Sequence, residues 1–505
     1  MGDGGRGVSA PVRPTDGWPA IGSWVDGAAV AGLGAAIALT DPATGLEAAR
    51  YADAGAEIAA AAVRGALAGQ GAWMALTGAE RGRRMWGWAQ AVRGAAEELA
   101  RLESANAGKP LRDARAEAGA VAAMIEYYAG WCDKQEGRVI PVPSGHLTYV
   151  RHVPFGVVLA IMPWNAPMFT AGWNVAPALA AGNAVILKPS EFTPLTSLRL
   201  AALASEAGLP AGVFQVVTGL GASTGAALIG EAEVRKVVFV GSPASGAAIA
   251  RACAEQVKPC VLELGGKSAN IVFADADWEM AVRGAQAAIF AGCGQSCVAG
   301  SRLLVERRIY DRFIADVAQG AARIRPGLPM AEATELGPVA TARQFAHIGR
   351  LVAAGEADGA ARIAAALPGD LPAGGFWMAP TILDRPPVQS AAVRDEIFGP
   401  VVAALPFDDE ADAVRLANDT RFGLAGAVWT QDVGRAHRVA EAVRAGTFWI
   451  NGYRTIHVSV PFGGFHASGH GRSSGQEALA EYGQTKAVWT QTGMQGSIGF
   501  GYAAR

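Results

Sequence analysis

From Gly156 onward the chain alternates short apolar runs with longer segments of helical spacing. Residues 157–162, 184–187, 213–217 and 236–240 read as strands. Residues 168–181, 195–207 and 223–229 read as helices, with another after Gly241. Apolar strands separated by helices imply a parallel sheet covered on both faces. A second series of this kind runs from 271–273 to 427–429. Upstream, residues 46–126 are rich in Ala, Arg and Glu at helical spacing, which predicts several packed helices. Residues 139–153 are β-branched and punctuated by proline, as in an extended hairpin. Residues 487–492 alternate like an edge strand. The apolar run 28–39 reads as strand and turn, ending at Asp41-Pro42, and lacks the basic flank of a signal peptide. The pattern is therefore α/β throughout.

Composition narrows this picture. A chain of 505 residues, 51% hydrophobic, has room for two or three domains with large cores. A net charge of −2 gives no basic footprint for nucleic acid or an anionic membrane. No stretch reads as long and apolar enough to span a bilayer. Five cysteines, an odd and sparse set, point to reduced thiols and a cytoplasmic setting. Residues 1–14 are Gly-rich and expected to be mobile.

The candidate chemistry lies in two glycine-framed segments. Cys297 sits in Gly292-Cys293-Gly294-Gln295-Ser296-Cys297, and Glu263 in Leu262-Glu263-Leu264-Gly265-Gly266-Lys267. A thiol can attack a carbonyl and hold the product as a thioester, which a carboxylate releases by activating water. Cys293 precedes Cys297 by four residues, but no further His or Cys ligands stand nearby, so no metal is expected.

These two segments resemble the aldehyde dehydrogenase superfamily, and the resemblance extends from about Asp41 to Trp489. Further motifs carry it. In Pro163-Trp164-Asn165-Ala166-Pro167, the resemblance implies that the Asn165 amide stabilises an oxyanion with the Cys297 N–H. In Lys188-Pro189-Ser190-Glu191, Glu191 and Lys188 would hold the adenosine ribose, the carboxylate favouring NAD over NADP. Gly241-Ser242-Pro243 opens a helix whose free N–H groups suit a pyrophosphate. Glu396-Ile397-Phe398 would hold the nicotinamide ribose and ring. Ile161, Trp164, Gly221, Gly225, Phe239 and Leu264 complete the implied cofactor site. Alone, each segment is an ordinary turn; the combination carries the reading.

The resemblance implies two Rossmann-like α/β domains plus a small β oligomerisation arm. The cofactor domain would comprise residues 1–130 and 154–260, the catalytic domain 261–470, and the arm 131–153 with 471–505. A homodimer or homotetramer is expected. The activity implied is NAD-dependent oxidation of an aldehyde to its acid. A CoA-acylating enzyme is the alternative, disfavoured by Glu263, and a non-catalytic protein on the same scaffold is disfavoured by Cys297 with Glu263. The substrate tunnel would be lined by Ala166, Phe169, Thr170, Trp173, Ala291, Ser296, Val298, Ile456 and Phe462. Arg454 is either an ordinary surface arginine, the commoner case, or a partner for an anionic substrate at the tunnel mouth. Four positions depart from the usual pattern: Gly292 for Asn, His466 for Lys, Asn174 for Lys and Ser473 for Glu. The last two remove a proposed proton-exit pair.

Overall fold

The structure, a computed structural model, describes residues 18, 21–142 and 145–493. The segment expected to be mobile, 1–14, lies outside the described residues, as does the end of the tail.

Two sheets organise the chain. The first has eight strands, five of them parallel: Val157–Ile161, Ala184–Lys188, Phe214–Val216, Val234–Gly241 and Cys260–Leu264. Three central strands (157–161, 184–188 and 260–264) are almost wholly buried, which explains their unbroken apolar sequence. Val157–Ile161 lies between Ala184–Lys188 and Val234–Gly241, so the winding direction reverses beside it. Crevices for ligands form at such a switch point, beyond the carboxyl ends of the strands. The antiparallel strand Gly469–His470 pairs with Cys260–Leu264 and sets Gly469 opposite Glu263. Strand Cys260–Leu264 straddles the expected 260/261 boundary and belongs to this first sheet.

The second sheet has seven strands, six of them parallel. It includes Ala269–Val272, Arg302–Glu306 and Ala425–Trp429. A third sheet joins Gly483–Gln491 to His146–Pro154 and then to Arg138–Ile140, as the hairpin and tail patterns predict.

The region 46–126 corrects one expectation. Its helices are Gly55–Met74, Gly78–Gly94, Ala96–Ala107 and Leu111–Ala129, but Glu47–Ala52 is a strand paired antiparallel with Ala36–Thr40. Pairing and the burial of Tyr51 with Ile37 and Leu39 override the helical propensity of Ala and Glu. No helix among the described residues is long and apolar enough to cross a membrane.

Candidate active site

Strand Val157–Ile161 runs into the turn 163–167, and helix Pro167–Ala180 starts directly after it. Proline suits that first helical position, where an N–H would lack a partner. The turn carries Asn165, whose Nδ2 donates to the Gln295 carbonyl at 2.8 Å. This bond ties the first sheet to the loop that bears Cys297. One amide proton of Asn165 remains for another acceptor.

The Cys297 loop follows helix Trp278–Phe290. Three successive residues, Gly292, Cys293 and Gly294, take left-handed φ values of 63°, 57° and 65°. Asn, the usual residue in place of Gly292, also tolerates that region. Gly294 is required for a second reason: a Cβ there would stand 1.9 Å from the Gly399 carbonyl oxygen. The resulting bend presents Cys297 to a cavity of about 600 Å³. Burial pushes the thiol up to about 12, and Glu263 and Glu396 add to this. The Val298 N–H and Arg454 pull the other way.

Glu263 is 5% exposed, and neither carboxylate oxygen has a hydrogen-bond partner among the described residues. Burial pushes it up to about 8; the Ser473 hydroxyl and Arg472 offset part of that rise. Ser473 itself accepts from Trp173 Nε1 at 2.7 Å. Asn174 donates to the Thr170 carbonyl at 2.9 Å. Asn174 and Ser473 are thus both neutral and hydrogen-bonded. Glu396 accepts from the Gly266 N–H at 2.9 Å, and burial raises it to about 7.

The cavity brings most of the expected residues together. Asn165, Glu263 and Cys297 share it. Trp164, Gly241, Ser242, Leu264, Glu396 and Phe398 line it from the expected cofactor side. Phe398 sits edge-on to Trp164, ring centres 5.4 Å apart. Phe169, Trp173, Ser296, Val298, Ile456 and Phe462 line the expected substrate side, with Ala166 and Thr170. Phe169 stacks on Trp173 at 5.1 Å, and Phe462 meets Trp173 edge-on at 6.0 Å. Ala291 is not part of that wall; its carbonyl accepts from Arg454 Nη1 at 2.9 Å.

Six expected cofactor residues lie outside the cavity wall: Ile161, Lys188, Glu191, Gly221, Gly225 and Phe239. Lys188 is buried and donates to the Pro189 carbonyl at 2.9 Å. Burial lowers its pKa against the charges of Glu191 and Asp53. Gly225 packs against it, since a Cβ there would lie 3.4 Å from Lys188 Cδ. Gly221 opens the turn Gly221–Gly225, and Ile161 closes its strand in the core. The Phe239 ring lies against Gly241, where a Cβ would come within 2.4 Å of it.

Three groups escaped the sequence reading. Asp53 accepts from the Leu220 N–H at 3.0 Å, from Thr224 Oγ1 at 2.6 Å and from the Ser223 hydroxyl, so it shapes the 220–224 turn. Arg343, Gln344, His347 and Arg350 line the cavity from one side of helix Ala342–Ala357. Their near-helical spacing was the available signal. Lys109 bridges Glu103 and Glu117 at 3.1 and 2.5 Å and also reaches the cavity.

A model of the aldehyde dehydrogenase family matches residues 29–488. The chain belongs to the aldehyde dehydrogenase family. Betaine aldehyde dehydrogenase of Bacillus subtilis (strain 168) is 42% identical, over 84% of this chain and 87% of the relative. The crystal structure of the aldehyde dehydrogenase KauB from Pseudomonas aeruginosa superposes with a TM-score of 0.92 at 39% identity, covering 95% of this chain and 98% of that one. Betaine aldehyde dehydrogenase from Staphylococcus aureus in complex with NAD+ superposes with a TM-score of 0.92 at 34% identity, covering 95% and 96%. This aldehyde dehydrogenase carries Cys297 and Glu263 on one cavity, with neutral Asn174 and Ser473 nearby.

Proposed function

We propose that this aldehyde dehydrogenase oxidises an aldehyde to the carboxylate with NAD as cofactor, through Cys297 and Glu263. The observation that carries the reading is the convergence of a thiol, a partnerless buried carboxylate and a spare amide donor on one cavity.

The residues present fit the cofactor. Helix Pro243–Glu255 starts at the cavity with Ser242 as its cap, and unpaired first-turn N–H groups suit a pyrophosphate. Gly241 lets the Phe239 ring pack against the backbone just before that cap. Glu191 and Lys188 would hold the adenosine ribose, and Glu396 and Phe398 the nicotinamide end. A carboxylate at Glu191 repels a 2′-phosphate, which supports NAD over NADP. The cofactor supplies the hydride acceptor.

The chain's own residues do the rest. Attack requires the Cys297 thiolate, and the Val298 N–H and Arg454 favour that anion. The Asn165 amide and the Cys297 N–H stabilise the oxyanion formed on the thiol adduct; one such donor contributes about 3–4 kcal/mol. After oxidation, Cys297 carries a thioester. Glu263, with no internal partner to satisfy it, takes a proton from water, and the hydroxide releases the acid. Transfer to CoA would need no such base. The third sheet, with its open edge strands, supports assembly into a dimer or tetramer.

Cys297→Ala should abolish NADH formation with every aldehyde tried while leaving NAD affinity, read by calorimetry, within about threefold of wild type. Full turnover in that variant would remove Cys297 from the chemistry.

A further inference from the structure

We propose that Arg454 selects aldehydes whose far end carries a carboxylate. The inference rests on the aldehyde-oxidising reading above and names its substrate class.

Arg454 projects from the loop after strand Thr447–Ile450 and lines the cavity beside Ile456. The loop is held from several directions. The Asn451 side chain exchanges two hydrogen bonds with the Thr430 backbone, at 3.0 and 2.9 Å. Tyr453 donates to the Val298 carbonyl at 3.0 Å, one residue beyond the thiol. Asn451 and Arg454 both take left-handed φ values, 51° and 65°. Such conformations cost about 1–2 kcal/mol and persist where the surroundings over-determine them. The guanidinium is therefore placed, not free to wander.

It is also unneutralised. It uses Nη1 on the Ala291 carbonyl, and no ion pair to it forms among the described residues. Arg343 and Arg350 also line the cavity, from helix Ala342–Ala357. Lys109 is taken up by Glu103 and Glu117. Glu396 accepts from the Gly266 N–H, and neither Glu263 nor Glu396 forms an ion pair with Arg454 among the described residues. Gly292 stands where the family usually has Asn. A Cβ there would lie 3.9 Å from Arg454 Nη2, so a longer side chain would crowd the fork or occupy its donors. Glycine keeps that space open. Arginine's remaining N–H groups form a fork that matches a carboxylate. On the same cavity wall, the Phe169–Trp173 stack and Phe462 suit an apolar or planar spacer.

The test compares pairs matched in size: 4-carboxybenzaldehyde with 4-methylbenzaldehyde, and 6-oxohexanoate with heptanal. Wild type should prefer the carboxylate of at least one pair by about tenfold or more in kcat/KM. Arg454→Met should lose about tenfold or more of the preference for that substrate over its partner, mainly through KM. Arg454→Lys should restore part of the preference. A parallel fall in kcat on charged and neutral aldehydes would mean that Arg454 only braces the Ala291 carbonyl, and the proposal would be overturned. NADH formation with no preference in either pair would overturn it as well. No NADH from any of the four would overturn the oxidation reading itself.

Discussion

Glu263 sets chemistry against stability. A carboxylate buried without partners is costly when charged, and its pKa rises to about 8 for that reason. In the unfolded chain the same group titrates near the ordinary value of 4.5. Between these values the folded state holds the extra proton. The folded state is thus favoured below about pH 4.5, and this contribution is lost as pH rises to about 8. Glu263→Gln removes the titration. Its stability relative to wild type should climb across that window, by on the order of 3–5 kcal/mol, and level off above it. Urea unfolding of both proteins at pH 5, 7 and 9 measures this. A constant difference would mean that Glu263 is solvated or paired in solution. Catalysis gains what stability loses, because a base of raised pKa is strong enough to deprotonate water near its working pH. That Glu263, Cys297 and Asn165 would share one cavity was legible from their frames. The burial of Glu263 beside the Ser473 hydroxyl was not, since it depends on packing between segments about two hundred residues apart in the chain.

At the scale of elements, the loop from Ala291 to Cys297 does the positioning. Its three left-handed residues turn the chain between helix Trp278–Phe290 and the thiol. Gly294→Ala would place a methyl on the Gly399 carbonyl in a backbone region that L side chains avoid. We expect a loss of about 2–4 kcal/mol in unfolding free energy, with kcat reduced more than tenfold by displacement of Cys297. Wild-type stability and kcat would show that the loop relaxes freely. Gly294 was visible in the sequence as part of the thiol's frame, but its contact lies more than a hundred residues away. The same limit hid strand Glu47–Ala52. Its composition favours a helix, yet pairing with Ala36–Thr40 makes it a strand. That strand delivers Asp53 to the turn at 220–224 and Tyr51 to the Glu191 carbonyl, at 2.9 Å. The parallel strands of the first sheet were legible because burial on both faces leaves an unbroken apolar record. The two-residue strand Gly469–His470 leaves no such record.

Across the whole molecule, two sheets contribute opposite walls of one cavity. Asn165, Gly241 and Glu263 come from the carboxyl ends of the first, and Cys297, Glu396 and Phe462 from loops of the second. The third sheet stands apart from this chemistry. Its outer strands expose Trp489 and Val139, at 61% and 71%. Apolar residues on an open strand edge favour pairing with another chain. Sedimentation should therefore give a mass of two or four times 51.8 kDa. Trp489→Asp should lower that mass without unfolding the protomer. A monomeric wild type would leave the sheet without its assigned role.

The central claim is that Cys297 carries an acyl group which Glu263 then releases by activating water. Mixing Glu263→Gln with an aldehyde it accepts and excess NAD, and following NADH in the first turnover, tests it most directly. The account predicts a rapid burst of about one NADH per active site, a steady state slowed by about 10²–10⁴-fold, and an acyl mass retained on Cys297. Loss of the burst together with turnover would instead make Glu263 the activator of the thiol and contradict the division of labour argued here.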